Sequence, residues 1–274
     1  MHCLATAAMG TRFELVLSAG PGADLMAAGE AALAEICACH ERLSRFASDS
    51  LVSHLARTTP GTPVRLDGDT YRLFVDALDV WRASGGAFDV TVAPLMATHG
   101  FAPSAVAVVR HAGAEAIVLD DEHWTVAFGC DSIGLDFGAI AKGHALDLAG
   151  AILCGAGVTS ALLHGGTSSV LTIGAPEAME GWPVDVQFGA SRRTIALQDT
   201  ALSMSIPSSQ AGRGGAHHIL DPRSGASVNR TAAVAVTGPS ARLCDAWSTA
   251  LAVLGHVPAG FPPGYTAIFE PQTS

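Results

Sequence analysis

A chain of 274 residues, 49% hydrophobic and only 15% charged, can bury a core as one large domain or two small ones, which excludes a disordered polymer. Its formal net charge of -10 excludes a nucleic-acid surface, which needs a basic patch, but not a phosphate ligand, because a metal ion supplies positive charge locally. No apolar run reaches the length of a membrane span and no secretory leader opens the chain, so the cytoplasm is the expected compartment.

Residues 4–18 predict a strand interrupted at Met9-Gly10-Thr11, where Gly10 marks a bulge or a close approach by a ligand. Pro21-Gly22 opens a helix running to about Leu43, with Leu25, Leu33, Ile36 and Leu43 as inner residues. Asp49 and Ser50 cap a short helix; Asp69 caps another that runs through Trp81 and stops at Gly85-Gly86. Residues 86–95 read as a loop and strand with Pro94 ending the pairing, and Phe88 beside a polar pair could line a ligand site. Residues 117–119 and 124–128 alternate as strands joined by an acidic turn.

From Gly134 a strand is expected to enter a glycine turn and then a helix, whose free backbone N–H groups form a natural anion site. Lys142 lies near that helix start and is the only lysine in the chain, consistent with a need for a compact point charge. No Walker loop is present. Residues 161–163, 169–173 and 184–188 read as strands, residues 265–269 as a last one, and residues 271–274 should fray. Strands and helices do not alternate regularly, which favours an α+β architecture. The six cysteines, Cys3, Cys37, Cys39, Cys130, Cys154 and Cys244, form no C-x-x-C pair and read as small buried residues of a reducing compartment.

Two stretches carry candidate chemistry. His218 precedes the turn residues Asp221-Pro222-Arg223-Ser224-Gly225, and a histidine held beside a tight turn can accept a proton near neutral pH. Asp221 either orients that histidine or shapes its turn. Further on, Leu243, Trp247, Ala250, Leu251 and Leu254 mark a helix with Ser240 as N-cap and Gly255 as stop. Asp245 and Thr249 stack one turn apart, roughly opposite that apolar stripe, and offer two oxygen ligands to a hard cation such as Mg2+. The plainer reading gives Asp245 to the helix dipole and Thr249 to a backbone carbonyl.

Residues 218–225, His-Ile-Leu-Asp-Pro-Arg-Ser-Gly, resemble the His-Ile-(Ile/Leu)-Asp-Pro-(Arg/Lys)-(Thr/Ser)-Gly signature of the ApbE family, the FAD:protein FMN transferases. Asp245-Ala246-Trp247-Ser248-Thr249-Ala250 resembles that family's Asp-Ala-x-x-Thr-Ala metal segment. Similar matches occur at Met9-Gly10-Thr11, at Ser44-Arg45-Phe46 with residues 49–55, at residues 86–95, at residues 136–147 and at Gly165-Gly166. Thr167 departs from the family's Asp or Asn, and Met204 and Ile206 replace its Thr and Gly.

The resemblance implies one compact α+β unit over residues 1–274, with ApbE-like mixed sheets and packed helices. It implies FAD as substrate and transfer of FMN to a Ser or Thr hydroxyl of an acceptor flavoprotein, with release of AMP. Mg2+ would be held by Asp245, Thr249 and the backbone carbonyl of Ala141. His218 would be the proton acceptor and Lys142 a support of the cofactor site. Met9, Gly10, Thr11, Phe88, Asp89, Asp136, Gly165, Gly166 and Ser205 would contact the flavin. Two rivals share these residues: a hydrolase that gives FMN and AMP, and a flavin-binding protein without turnover.

Overall fold

The computed structural model describes residues 1–20, 24–101, 111–131, 133–189, 191–207, 217–229 and 233–270. Strands β1 (His2–Ala8) and β2 (Thr11–Ala19) form an antiparallel hairpin with Ala8 opposite Thr11. Met9 and Gly10 between them have φ of 50° and 72°, consecutive positive values like those of a tight hairpin turn. The expected bulge at Met9-Gly10-Thr11 is therefore a chain reversal.

Helix α1 (Leu25–Leu43) begins at Asp24, whose side chain accepts from the N–H groups of Met26 and Ala27. Pro21 and Gly22 lie outside the described residues. Ile36 and Leu43 are buried as expected, while Leu25 and Leu33 are half-buried and the small residues Ala28, Gly29 and Ala32 fill the inner face. Ser50 caps α2 (Leu51–Ala56), and β3 (Val64–Arg65) follows. Asp67, not Asp69, caps α3 (Gly68–Ala83), because its carboxylate reaches the Thr70 N–H while Asp69 already stands in the first turn. Pro94 starts α4 (Ala93–Thr98) instead of ending a strand; its missing N–H costs nothing in a first helical turn.

Strands β4 (Ile117–Asp120) and β5 (Thr125–Phe128) form the predicted hairpin. The strand expected to lead directly into α5 (Ala141–Gly155) is absent among the described residues, since residues 133–137 run without ladder pairing. Then come β6 (Ser160–Gly165), β7 (Ser169–Ile173), β8 (Trp182–Phe188), β9 (Ser191–Leu197), β10 (Ala201–Ser205), β11 (Leu220–Asp221), β12 (Ala226–Ser227) and β13 (Val234–Gly238). Helix α6 (Ala241–Leu254) and strand β14 (Thr266–Phe269) complete the described chain; residues 271–274 lie outside it.

Seven strands make one antiparallel sheet in the order β1-β2-β6-β7-β10-β13-β14. Alternation along β6 divides its side chains between two layers. Ala161 and Leu163 join the core with α1, α5 and α6, whereas Leu162 joins the cluster under the β8–β9 hairpin. The fold is thus α+β with antiparallel sheets. Among the described residues no helix is long and apolar enough to cross a membrane. The cysteines are free, but only Cys39 and Cys244 are buried; Cys3 and Cys154 are exposed.

Contact between α5 and α6 sets the geometry of the site. A Cβ on Gly143 would stand 2.1 Å from the Ala241 carbonyl oxygen, so the helices touch backbone to backbone. Asp147 on α5 accepts from Ser240 Oγ at 2.7 Å, Ala241 N at 2.8 Å and Arg242 N at 3.1 Å, which closes the start of α6. Burial raises the pKa of this carboxyl. Helix α6 is buried almost all round, so the expected polar face opposite its apolar stripe does not exist: Asp245 is 3% exposed.

Candidate active site

A cavity of about 620 Å3 forms where the β1–β2 turn, the α3–α4 loop, the start of α5, the β6–β7 turn, the end of β10 and α6 converge. Met9, Gly10 and Thr11 line it from the turn, Phe88 and Asp89 from the loop, and Asp136 from the segment before α5. Gly165 and Gly166 contribute from the β6–β7 turn, and Ser205 from the end of β10. Lys142, His218, Asp245 and Thr249 share the same lining. Ala141 is buried beside Lys142 and stands outside it.

Several wall residues are held by the protein itself. Asp89 Oδ1 accepts from the N–H and the hydroxyl of Thr91, each at 2.7 Å, and Oδ2 accepts from Ala114 N at 3.2 Å. Its carboxylate thereby ties the loop down. Asp136 accepts from Gly138 N at 2.9 Å and pairs with Arg45, while Phe137 stacks edge-on against Phe74 at 5.1 Å and anchors the segment. The Met9 N–H donates to His40 Nδ1 at 3.3 Å, fixing the hairpin turn to α1.

Asp245 forms the polar floor. Its Oδ2 accepts from the Gly143 N–H at 2.8 Å and lies 3.7 Å from Lys142 Nζ. Its Oδ1 accepts from Ser169 Oγ at 2.7 Å and also from Ser203 Oγ. The N–H group at the start of α5 thus binds a carboxylate of the same chain. Hydroxyls continue toward the cavity: Ser205 Oγ is 2.8 Å from Ser248 Oγ and 3.3 Å from Thr249 Oγ1. A carboxylate with neighbouring hydroxyls and no thiolate or imidazole is a hard-oxygen donor set, which fits Mg2+. Among the described residues no group of three or more His, Cys, Asp or Glu offers a different metal site.

His218 is half-buried at the cavity edge. Burial lowers its pKa below the ordinary histidine value, and the charges of Lys142 and His217 push in the same direction. The imidazole is therefore neutral at pH 7 and free to accept a proton. Nδ1 is buried with no hydrogen-bond partner among the described residues. Asp221 shapes the adjoining turn: it accepts from Arg223 Nε and Nη2, both at 2.8 Å, and from the Arg223 N–H at 3.0 Å.

Sequence reasoning missed Arg45, Met96 and Phe101 in the lining and Ser169 and Ser203 on the floor. Arg45 spans Asp136 and the Phe101 carbonyl oxygen, 2.7 Å away. Its position inside Ser44-Arg45-Phe46 was a signal. Ser203 had one too, because a strand places it on the same face as Ser205.

An antiparallel sheet with helices on one face and an oxygen-floored cavity at its edge is also the architecture of solved flavin transferases. The flavin transferase ApbE from Vibrio cholerae superposes with a TM-score of 0.81 at 22% identity, over 92% of this chain and 86% of that one. The ApbE protein from Thermotoga maritima gives 0.82 at 25% identity, over 93% and 87%. A protein of Rhodobacter capsulatus named FAD:protein FMN transferase is 30% identical over 234 residues, 79% of this chain and 44% of that protein. The chain thus spans less than half the length of that curated relative. The ApbE family model matches residues 9–259, and the chain belongs to the ApbE family.

Proposed function

We propose that the chain is an FAD:protein FMN transferase that moves the FMN half of FAD onto a Ser or Thr hydroxyl of an acceptor flavoprotein and releases AMP. The observation that carries this reading is one cavity in which a neutral imidazole, His218, shares the lining with the oxygen floor of Asp245 and Thr249 and with the only lysine of the chain. His218 takes the hydroxyl proton onto its imidazole as the acceptor oxygen bonds to the FMN-side phosphorus and the bond from phosphorus to the AMP oxygen breaks. Lys142 offers fixed positive charge to the phosphates. Residues Met9 to Thr11, Phe88, Gly165 and Gly166 shape the wall for the flavin. Asp245, Thr249 and the Ala141 carbonyl would hold Mg2+, which when bound would supply positive charge against the negative charge that builds on the pyrophosphate.

The test incubates purified protein with FAD, Mg2+ and a candidate acceptor carrying a Ser/Thr flavinylation motif, and follows AMP, free FMN and acceptor mass together. Acceptor that gains one FMN with matching AMP is the expected result. Free FMN and AMP beside unmodified acceptor would replace transfer by hydrolysis. FAD that stays bound and intact would leave a flavin-binding protein.

A further inference from the structure

We infer that Lys142 and the divalent cation use the same lone pair of Asp245 in turn: without FAD the protein's own ammonium holds that place, and FAD must draw Lys142 away before the cation binds. The inference rests on the proposed assignment of Asp245 as a cation ligand.

Lone-pair accounting on the buried carboxylate leads to it. A carboxylate offers about four lone-pair sites. On Asp245, Ser169 Oγ and Ser203 Oγ take both sites of Oδ1, and the Gly143 N–H takes one of Oδ2. Ser169 is 0% and Ser203 1% exposed, and Gly143 is locked against the Ala241 backbone, so these donors cannot retreat. One site remains, on Oδ2, and the Lys142 ammonium stands 3.7 Å from that oxygen.

The two members of the pair differ in freedom. The Asp245 side chain is 4% exposed and held by three donors, whereas the Lys142 side chain is 23% exposed on a flexible four-carbon stem and lines the cavity. The mobile partner is the lysine. A divalent cation on Oδ2 would share that oxygen with an ammonium 3.7 Å from it, and the repulsion between the two positive charges opposes its entry. A pyrophosphate in the cavity offers that ammonium a more strongly charged partner, and its departure frees the lone pair. FAD and cation therefore bind with positive coupling, and the coupling is reciprocal. A compact ammonium suits this exchange better than a planar guanidinium fork, and this is the one position where the chain keeps a lysine.

The single lysine of this chain gives a direct readout, because the 274-residue chain grown with 13Cε-lysine shows one side-chain signal. We expect FAD alone, without metal, to shift that signal, and Mg2+ alone at concentrations below its FAD-free affinity to leave it in place. Calorimetry with Mg2+ alone should show Lys142→Met binding at least about tenfold more tightly than wild type, because the competing charge is gone, with Lys142→Arg close to wild type. A lysine signal unmoved by FAD overturns the exchange, and this measurement needs no variant. Equal Mg2+ affinity of wild type and Lys142→Met, with the affinity lost in Asp245→Asn, overturns the exchange and leaves the cation site standing. Wild-type Mg2+ affinity in Asp245→Asn with FAD present places the cation elsewhere and overturns both.

Discussion

Three glycines on α5 make a graded test of how closely the α5–α6 contact controls the site. A Cβ at Gly143 would meet three backbone atoms of α6: the Ala241 oxygen at 2.1 Å, the Ala241 carbonyl carbon at 2.4 Å and the Arg242 nitrogen at 2.7 Å. Backbone cannot swing aside as a side chain can, so Gly143→Ala must push the helices apart. Separation strains the Gly143 N–H bond to Asp245 and the three bonds by which Asp147 closes α6. Overpacking costs about 1–3 kcal/mol and a lost charge-assisted hydrogen bond about 1.5–3 kcal/mol, so a loss of about 3–5 kcal/mol is expected. At about 2–4 °C per kcal/mol for a chain of this size, the melting temperature falls by roughly 10 °C. A Cβ at Gly150 meets only the Leu171 side chain, Cδ2 at 2.7 Å and Cγ at 3.9 Å, which can rotate away, and a Cβ at Gly155 meets nothing within 4 Å. Gly150→Ala should stay within about 1 kcal/mol of wild type, and Gly155→Ala should gain about 0.5 kcal/mol from helix propensity. Thermal melts of the three variants, paired with FAD titrations, rank them directly. Gly143→Ala melting within about 2 °C of Gly155→Ala would refute the backbone contact as the feature that sets Asp245.

Further outcomes follow from single side chains. His218→Ala should abolish transfer while FAD still binds, and because burial lowers the His218 pKa, the wild-type rate should hold as pH falls below the ordinary histidine value; the kcat/KM profile checks both. His144 is buried with its pKa lowered from 6.5 to about 3, by burial and then by Arg242, so the unfolded state takes up the proton first. Stability should therefore fall as pH drops through that window and level off below it; His144→Leu should flatten the slope by an amount on the order of a few kcal/mol in urea titrations at successive pH values. Arg45→Lys cannot span Asp136 and the Phe101 carbonyl with one ammonium, so the KM for FAD should rise by about threefold to tenfold while kcat changes less, as steady-state kinetics will read.

The reach of the sequence stops where tertiary neighbours take over. Candidates from the turn, the loop, α5, β6 and β10 meet in one cavity because they lie at or beside the ends of elements, and ends are marked locally by Gly, Pro and capping residues; Asp245 and Thr249 join them from within α6. The wrong readings also have local causes. Pro94 reads as the end of a strand because Val90, Thr91 and Val92 favour one, yet proline in a first helical turn is equally good chemistry. The interruption at Met9 and Gly10 needed two positive φ values to become a reversal, and a methionine at φ 50° gives no sequence signal. Helix α6 looked amphipathic because Asp245 and Thr249 are polar; nothing local showed that Ser169 and Ser203 from two strands would satisfy that carboxylate inside the core. A buried polar residue is legible in sequence only when its partners are neighbours along the chain.

The three departures from the family pattern separate by the same logic. Thr167, Met204 and Ile206 all line the cavity, but the donors on Asp245 are Gly143, Ser169 and Ser203. Alternation along β10 puts Ser203 and Ser205 toward α6, while Met204 packs with Ile206 against the cluster under the β8–β9 hairpin. Met204 and Ile206 therefore act on the apolar fit of the cavity edge and leave the oxygen floor around Asp245 intact. Ile206→Gly removes a branched apolar side chain from that edge, and if the proposed flavin site extends there, the lost apolar contact would cost about 1–2 kcal/mol on an area basis. The expected result is a KM for FAD raised by about tenfold, with the Mg2+ concentration for half-maximal rate unchanged at saturating FAD. An unchanged KM together with a shifted Mg2+ requirement would mean that the edge and the floor are one unit, and the separation drawn from the Asp245 hydrogen bonds would fail.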